Sequence, residues 1–213
     1  LDPLHRTQLE LPTETSRLST GHQISSSRPV PIYPVSPQGC SPVGVRLLIA
    51  TGARREEVFG LRRAEIAYDT IHLAADRSKN KVARIVPLSP LGKRVLAELP
   101  DLGAFAVSVD GMKPFTNIGH SKARLDALAG VADWRLHDLR RSVATGLQRL
   151  GVRLETIEAV LGHVSGSRAG IVGIYQRHRF EDEAREALAA WGAHLQGLID
   201  GKALAQVVPM RRA

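Results

Sequence analysis

Proline is spread unevenly along this chain, and that unevenness limits where the chain can fold. Seven of the twelve prolines fall within residues 1–43. They come with a dense Ser/Thr content and a single aromatic, Tyr33. From Ser25 to Pro42 a proline recurs every two to five residues, which blocks helix interiors and central strands alike. The segment also holds too little apolar surface to offset the entropy of ordering it. Residues 1–43 are therefore expected to be disordered or irregular, and residues 44–213 to supply the fold.

Beyond Val43 the pattern changes. Val45, Leu47, Leu48 and Ile49 lead an apolar helical run into Thr51-Gly52, where the glycine ends or bends the helix. A second helical segment starts near Arg55, with Val58 and Leu61 on one face. Ile71 and Leu73 alternate with polar neighbours, as do Arg84 to Leu88. The two read as short strands of a β-hairpin whose polar tip is Arg77–Ala83. Pro90 to Leu99 is expected to be a helix with proline in its first turn, residues 100–116 irregular, and Ser121 to Ala129 helical.

The strongest helix follows. Leu139, Val143, Leu147 and Leu150 recur at helical spacing, and Gly151 closes the run. Ile157, Val160 and Leu161 form the next apolar face before Gly162. Ala184, Leu188, Trp191, Leu195 and Leu198 then stripe a helix over Glu181 to Asp200, whose acidic start suits the helix dipole. The expected fold class is α+β, mainly α with a small antiparallel sheet.

Composition narrows the function. A chain of 213 residues with 43% apolar content is an ordinary globular size and make-up. No apolar run nears the roughly 18 residues that span a bilayer, and no signal peptide is visible at the start. One cysteine, Cys40, excludes an internal disulfide and a cysteine-rich zinc site. The expected setting is cytoplasmic. Net charge is +8. Arg6, Arg17 and Arg28 balance Asp2, Glu10 and Glu14, so the whole excess lies in residues 44–213. A basic domain attracts polyanions, nucleic acid above all.

Six side chains stand out: Arg54, Lys79, His137, Arg140, His163 and Tyr175. Two guanidiniums, two imidazoles, an ammonium and a phenol suit a phosphodiester. Each has a plainer reading too. Arg54 can be a helix-end cation and Lys79 a solvated hairpin tip. His163 can be structural, and Tyr175, among Ile171, Val172 and Ile174, can be a core or interface tyrosine. His137 and Arg140, three apart, share a helix face. With Leu139 turned to the core, that pair is expected to face outward, either into a site or merely into solvent.

Order and spacing add what the single residues lack. The chain reads Thr51-Gly52-Ala53-Arg54-Arg55-Glu56-Glu57, Lys79-Asn80, His137-Asp138-Leu139-Arg140-Arg141, Leu161-Gly162-His163 and Gly173-Ile174-Tyr175. This series resembles the catalytic domain of the tyrosine recombinases, the phage integrase family, from about Val45 to Leu195. The resemblance is densest over residues 134–179. It implies a tyrosine recombinase catalytic-domain-like fold over residues 44–213 and a site-specific DNA recombinase, active in DNA integration and recombination without metal or other cofactor. By the same resemblance Tyr175 is the nucleophile, forming a 3′-phosphotyrosyl bond. Arg54 and Arg140 grip the non-bridging oxygens, Lys79 protonates the leaving 5′-oxygen, and His137 and His163 share proton handling. The implied partner is double-stranded DNA bound by a homotetramer, with no membrane and no small-molecule substrate.

The chain departs from the family pattern in four places, one of them a hairpin that is a little short between Ile66 and Ile71. Arg63 stands where an aromatic is common. Lys81 stands where a glycine is common after Lys79-Asn80, at a turn position where positive φ favours glycine. Residues 1–43 resemble neither the arm-binding nor the core-binding domain with which integrases begin, and fewer phosphate contacts mean weaker, more salt-sensitive binding. Two alternatives follow: an inactive DNA-binding remnant of an integrase, and a type IB topoisomerase-like enzyme.

Overall fold

A computed structural model of the chain describes residues 40–163 and 180–202, all within one of its two compact units. The irregular segment expected over residues 1–43 lies almost wholly outside them, as does Tyr175. Seven α-helices and a three-stranded antiparallel sheet make up the described part. This is the α+β class read from the sequence.

Helix α1 (Cys40–Thr51) carries Pro42 in its first turn, where no intrahelical N–H bond is needed. It buries Val43, Leu47, Leu48 and Ala50 and stops at Gly52, whose φ is +64°. The short α2 (Arg55–Phe59) puts Val58 and Phe59 into the same core. Strands β1 (Ile66–Ala67), β2 (Thr70–Leu73) and β3 (Arg84–Pro87) pair in the order β1-β2-β3. Ile71 lies opposite Ile66 on one side and Val86 on the other. The β2–β3 hairpin falls where alternation places it. The two-residue β1 is too short to show any period.

A 3-10 turn at Ala75–Arg77 lengthens the hairpin tip, and a tight turn closed by Lys81 N–H to Ser78 O at 3.0 Å ends it. Lys81 adopts φ +56°, the left-handed conformation expected at the position where a glycine is common. A side chain there costs roughly 1–2 kcal/mol, partly regained because glycine is more costly to order. Lys81→Gly is accordingly expected to stabilise the chain by about 0.5–1 kcal/mol. The check is a rise in the urea midpoint at unchanged m-value, and a lowered midpoint would show the turn to be unstrained.

Helix α3 (Pro90–Ala97) is capped by Ser89, whose Oγ accepts from Gly92 N–H at 3.1 Å. Helix α4 (Ile118–Ala129) begins three residues before the expected Ser121 and ends at Gly130. Arg63 ties the end of α3 to the sheet side by donating to Leu99 O at 3.2 Å and Pro100 O at 2.5 Å. Helix α5 (Leu136–Arg149) buries Val143 and Leu147 completely, while Leu150 sits past its end and is exposed.

Helix α6 (Leu154–Leu161) buries Ile157, Val160 and Leu161. Helix α7 (Glu181–Ile199) packs Ala184, Leu188 and Trp191 on this chain's own core, and Leu198 of the expected stripe is exposed. Trp191 lies so close over Gly146 of α5 that a Cβ there would meet its ring at 2.2 Å. Its indole N–H donates to Ile49 O of α1 at 2.7 Å.

Candidate functional site

The C-terminal end of α6 organises the site. Gly162 N–H bonds Ala159 O at 3.1 Å and His163 N–H bonds Glu158 O at 2.9 Å. That pair of reversed bonds is the Schellman ending, with Gly162 in the left-handed conformation at φ +59°. It leaves the carbonyls of Val160, Leu161 and Gly162 without helical donors, at the negative end of the helix dipole.

Side chains far apart in sequence fill all three. Arg84 Nη1 donates to Val160 O at 2.8 Å. Arg140 Nη2 donates to Leu161 O, and its Nη1 to Gly52 O at 2.5 Å. Arg54 Nη2 and Asn80 Nδ2 each reach Gly162 O at 3.0 Å. Gly162 must be glycine for a second reason, since a Cβ would lie 2.7 Å from Arg84 Cδ.

Among the described residues one buried carboxylate pairs with two of these cations. Glu57, with its side chain 2% exposed, binds Arg54 Nη1 at 2.9 Å and Arg84 Nη2 at 2.5 Å. It also accepts the backbone N–H of Arg54 at 2.8 Å, tying the start of α2 to itself. Burial acts to raise the Glu57 carboxyl. The charge of Arg84 and the hydrogen bonds from Arg54 and Arg84 outweigh it, and the carboxyl rests below its ordinary value.

Among the described residues, three guanidiniums face one buried carboxylate and leave the cluster itself positive. Burial first, and then the neighbouring Arg54 and Arg84, push Arg140 down to about 9, opposed by Glu57. Burial and the charges of Arg140, Arg54 and Arg84 lower His163, opposed by Glu158. These causes favour the neutral imidazole over the charged one. A cleft of about 450 Å³ opens beside His163, lined also by His72, Ser78, Asn80, Arg84 and Glu181.

The structure therefore brings Arg54, Arg140 and His163 together. Lys79 is exposed at the hairpin tip beside Asn80, and His137 is exposed in the first turn of α5, three residues before Arg140. Tyr175 lies outside the described residues. The outward orientation expected of Arg140 is corrected: the residue is 4% exposed and points inward. It shares the buried helix face with Val143 and Leu147, at spacings of three and seven.

Glu57, Asn80 and Arg84 belong to this cluster, yet sequence reasoning gave them no role. The Arg54-x-x-Glu57 spacing at a helix start was the available signal for the first. Nothing in the sequence marks the other two, because both bond to backbone carbonyls.

Among the described residues no group of three or more His, Cys, Asp or Glu is placed to hold a metal ion. No helix among them is long and apolar enough to cross a membrane.

An α+β domain with an arginine cluster gathered on a helix end is thus the class that fold and site define. Two curated proteins are similar to it. A tyrosine recombinase of Thermosipho africanus is 29% identical over 132 residues, covering 60% of this chain and 47% of that protein. Tyrosine recombinase XerC of Mesorhizobium japonicum is 31% identical over 135 residues, covering 59% of this chain and 43% of that protein. The chain therefore spans just under half the length of these relatives. No family model matches the chain, and no solved structure matches it. The two likenesses support a tyrosine recombinase family relationship for this chain.

Proposed function

We propose that this chain is the catalytic part of a site-specific DNA recombinase working through a 3′-phosphotyrosyl intermediate. One observation carries the reading: Arg54, Arg84 and Arg140 converge beside His163 with Glu57 as their one buried counter-charge among the described residues. Such an excess of fixed positive charge favours an anion, and guanidinium forks match the oxygens of a phosphodiester.

In this reading the Tyr175 oxygen forms a bond to phosphorus while the bond to the 5′-oxygen breaks. The neutral imidazole of His163 is suited to take the phenolic proton, with His137 assisting, and Lys79 gives a proton to the departing oxygen. Arg54 and Arg140 stabilise the charge that builds on the non-bridging oxygens. Double-stranded DNA is the substrate, and four copies act on two duplexes.

Covalent trapping tests the reading. Incubation with nicked duplexes from a randomised pool is expected to give a protein–DNA adduct on denaturing gels, and Tyr175→Phe is expected to abolish it. DNA binding at low salt without any adduct would instead indicate a non-catalytic DNA-binding remnant. Relaxation of supercoiled plasmid by the isolated chain would indicate a topoisomerase.

A further inference from the structure

The hairpin tip that carries Lys79 reaches the arginine cluster through its neighbour. The β2–β3 ladder ends at the pair Leu73–Arg84, so residues 74–83 lie beyond the reach of strand hydrogen bonds. Arg77 anchors the first limb of the tip, with Nε donating to Glu65 at 2.8 Å. The turn Ser78–Lys81 follows, and from it Asn80 Nδ2 donates to Gly162 O at 3.0 Å. That oxygen is the one held by Arg54 Nη2, also at 3.0 Å. Lys79 itself is exposed.

We infer that Asn80 is a positioning residue for Lys79, fixing the hairpin tip to the helix end that also fixes Arg54 and His163. The inference rests on the reading of Lys79 as the proton donor to the 5′-oxygen. A lysine carries four flexible methylenes, so where its backbone sits decides which oxygen its ammonium can reach. Asn80 supplies that placement as an amide donor on a carbonyl acceptor. A carboxylate in its place would set oxygen against oxygen and offer Arg54 a competing partner. A shift of about 1 Å in such a group costs on the order of 100-fold in rate.

The test separates placement of the acid from general loss of structure. Asn80→Ala and Lys79→Ala are compared with the unmodified chain on a nicked duplex. Each is assayed with oxygen, and then with sulfur, at the bridging 5′ position. An alkoxide needs a proton as it leaves. A thiolate, whose parent thiol has a pKa of about 8.5, leaves without one. Asn80→Ala is expected to slow cleavage of the oxygen substrate by roughly 10- to 100-fold. With sulfur it is expected to return to within about threefold of the unmodified chain, as Lys79→Ala also should.

Asn80→Ala slow on both substrates, or unimpaired on both, overturns the inference. Lys79→Ala without rescue by sulfur overturns the reading of Lys79, while sulfur rescue of Lys79→Ala alone overturns only the role of Asn80. Amide exchange gives a readout independent of cleavage. Loss of the contact is expected to speed exchange at residues 79–81 about tenfold. Unchanged exchange there overturns the inference even if the unmodified chain cleaves neither substrate.

Discussion

Glu57→Gln is expected to remove about 3–5 kcal/mol of stability at neutral pH, because it leaves buried guanidiniums without a counter-charge. For a domain of this size that is a fall of roughly 6–20 °C in Tm. The side chain is 2% exposed and holds both Arg54 and Arg84, so water cannot take its place cheaply. The pH dependence has a definite sign. The carboxyl sits below its ordinary value in the folded chain, so between the two values the unfolded state binds more protons. Its stabilisation is complete above the unfolded value, about 4.3 for Glu, and disappears as pH falls through the folded one. The glutamine variant should lack this component and show a flatter profile in that acid range. Urea unfolding at neutral pH and near pH 4 measures both effects. A loss under about 1 kcal/mol at neutral pH would mean that the cluster is balanced by something other than Glu57.

Arg140→Lys is expected to cut DNA cleavage by about 10²–10³-fold, the usual effect of removing one donor from a charge-stabilising site. Arginine spans Gly52 O and Leu161 O with two nitrogens of one planar fork. An ammonium is a single point and cannot hold both carbonyls and a phosphate oxygen at once. Arg140 is also pushed down to about 9, by burial first and then by Arg54 and Arg84. A bound phosphodiester relieves that crowding, so a short duplex should raise the Tm of the unmodified chain more than that of Arg140→Lys. Paired single-turnover cleavage and thermal melts with DNA provide the check. A variant that binds DNA and cleaves within about threefold of the unmodified chain would show that Arg140 is not needed for the chemistry.

The contrast between Arg140 and Gly162 shows what the sequence could and could not convey. Leu161-Gly162-His163 announces a helix ending, because glycine is the residue that takes the left-handed cap without strain. The positive φ at Lys81 was legible for the same reason. Arg140 was not legible as a buried residue. A charged side chain on an apolar helix face normally reads as surface, and its actual partners are backbone carbonyls, which every residue has. Asn80 and Arg84 were hidden the same way, since each meets a carbonyl about 80 residues away. Periodicity located the long helices but misjudged their edges: Leu150 lies past the end of α5 and Leu198 on the last turn of α7, and both fit their stripes yet are exposed. Identity of type was readable; the meeting of distant segments was not.

Trp191 sets a clock on the making of this protein. Its indole joins Ile49 across 142 positions of chain, and its ring fills the space left open over Gly146. Until that residue has been synthesised, the core face of α1 has no cover from α7. At translation speeds of about 5–20 residues per second, the wait between the two contacts is roughly 7–28 s. Before that interval ends the nascent chain contains every arginine of the cluster and the turn of α6 that they hold. The arginine cluster thus exists on the ribosome before Trp191 has closed the core around it.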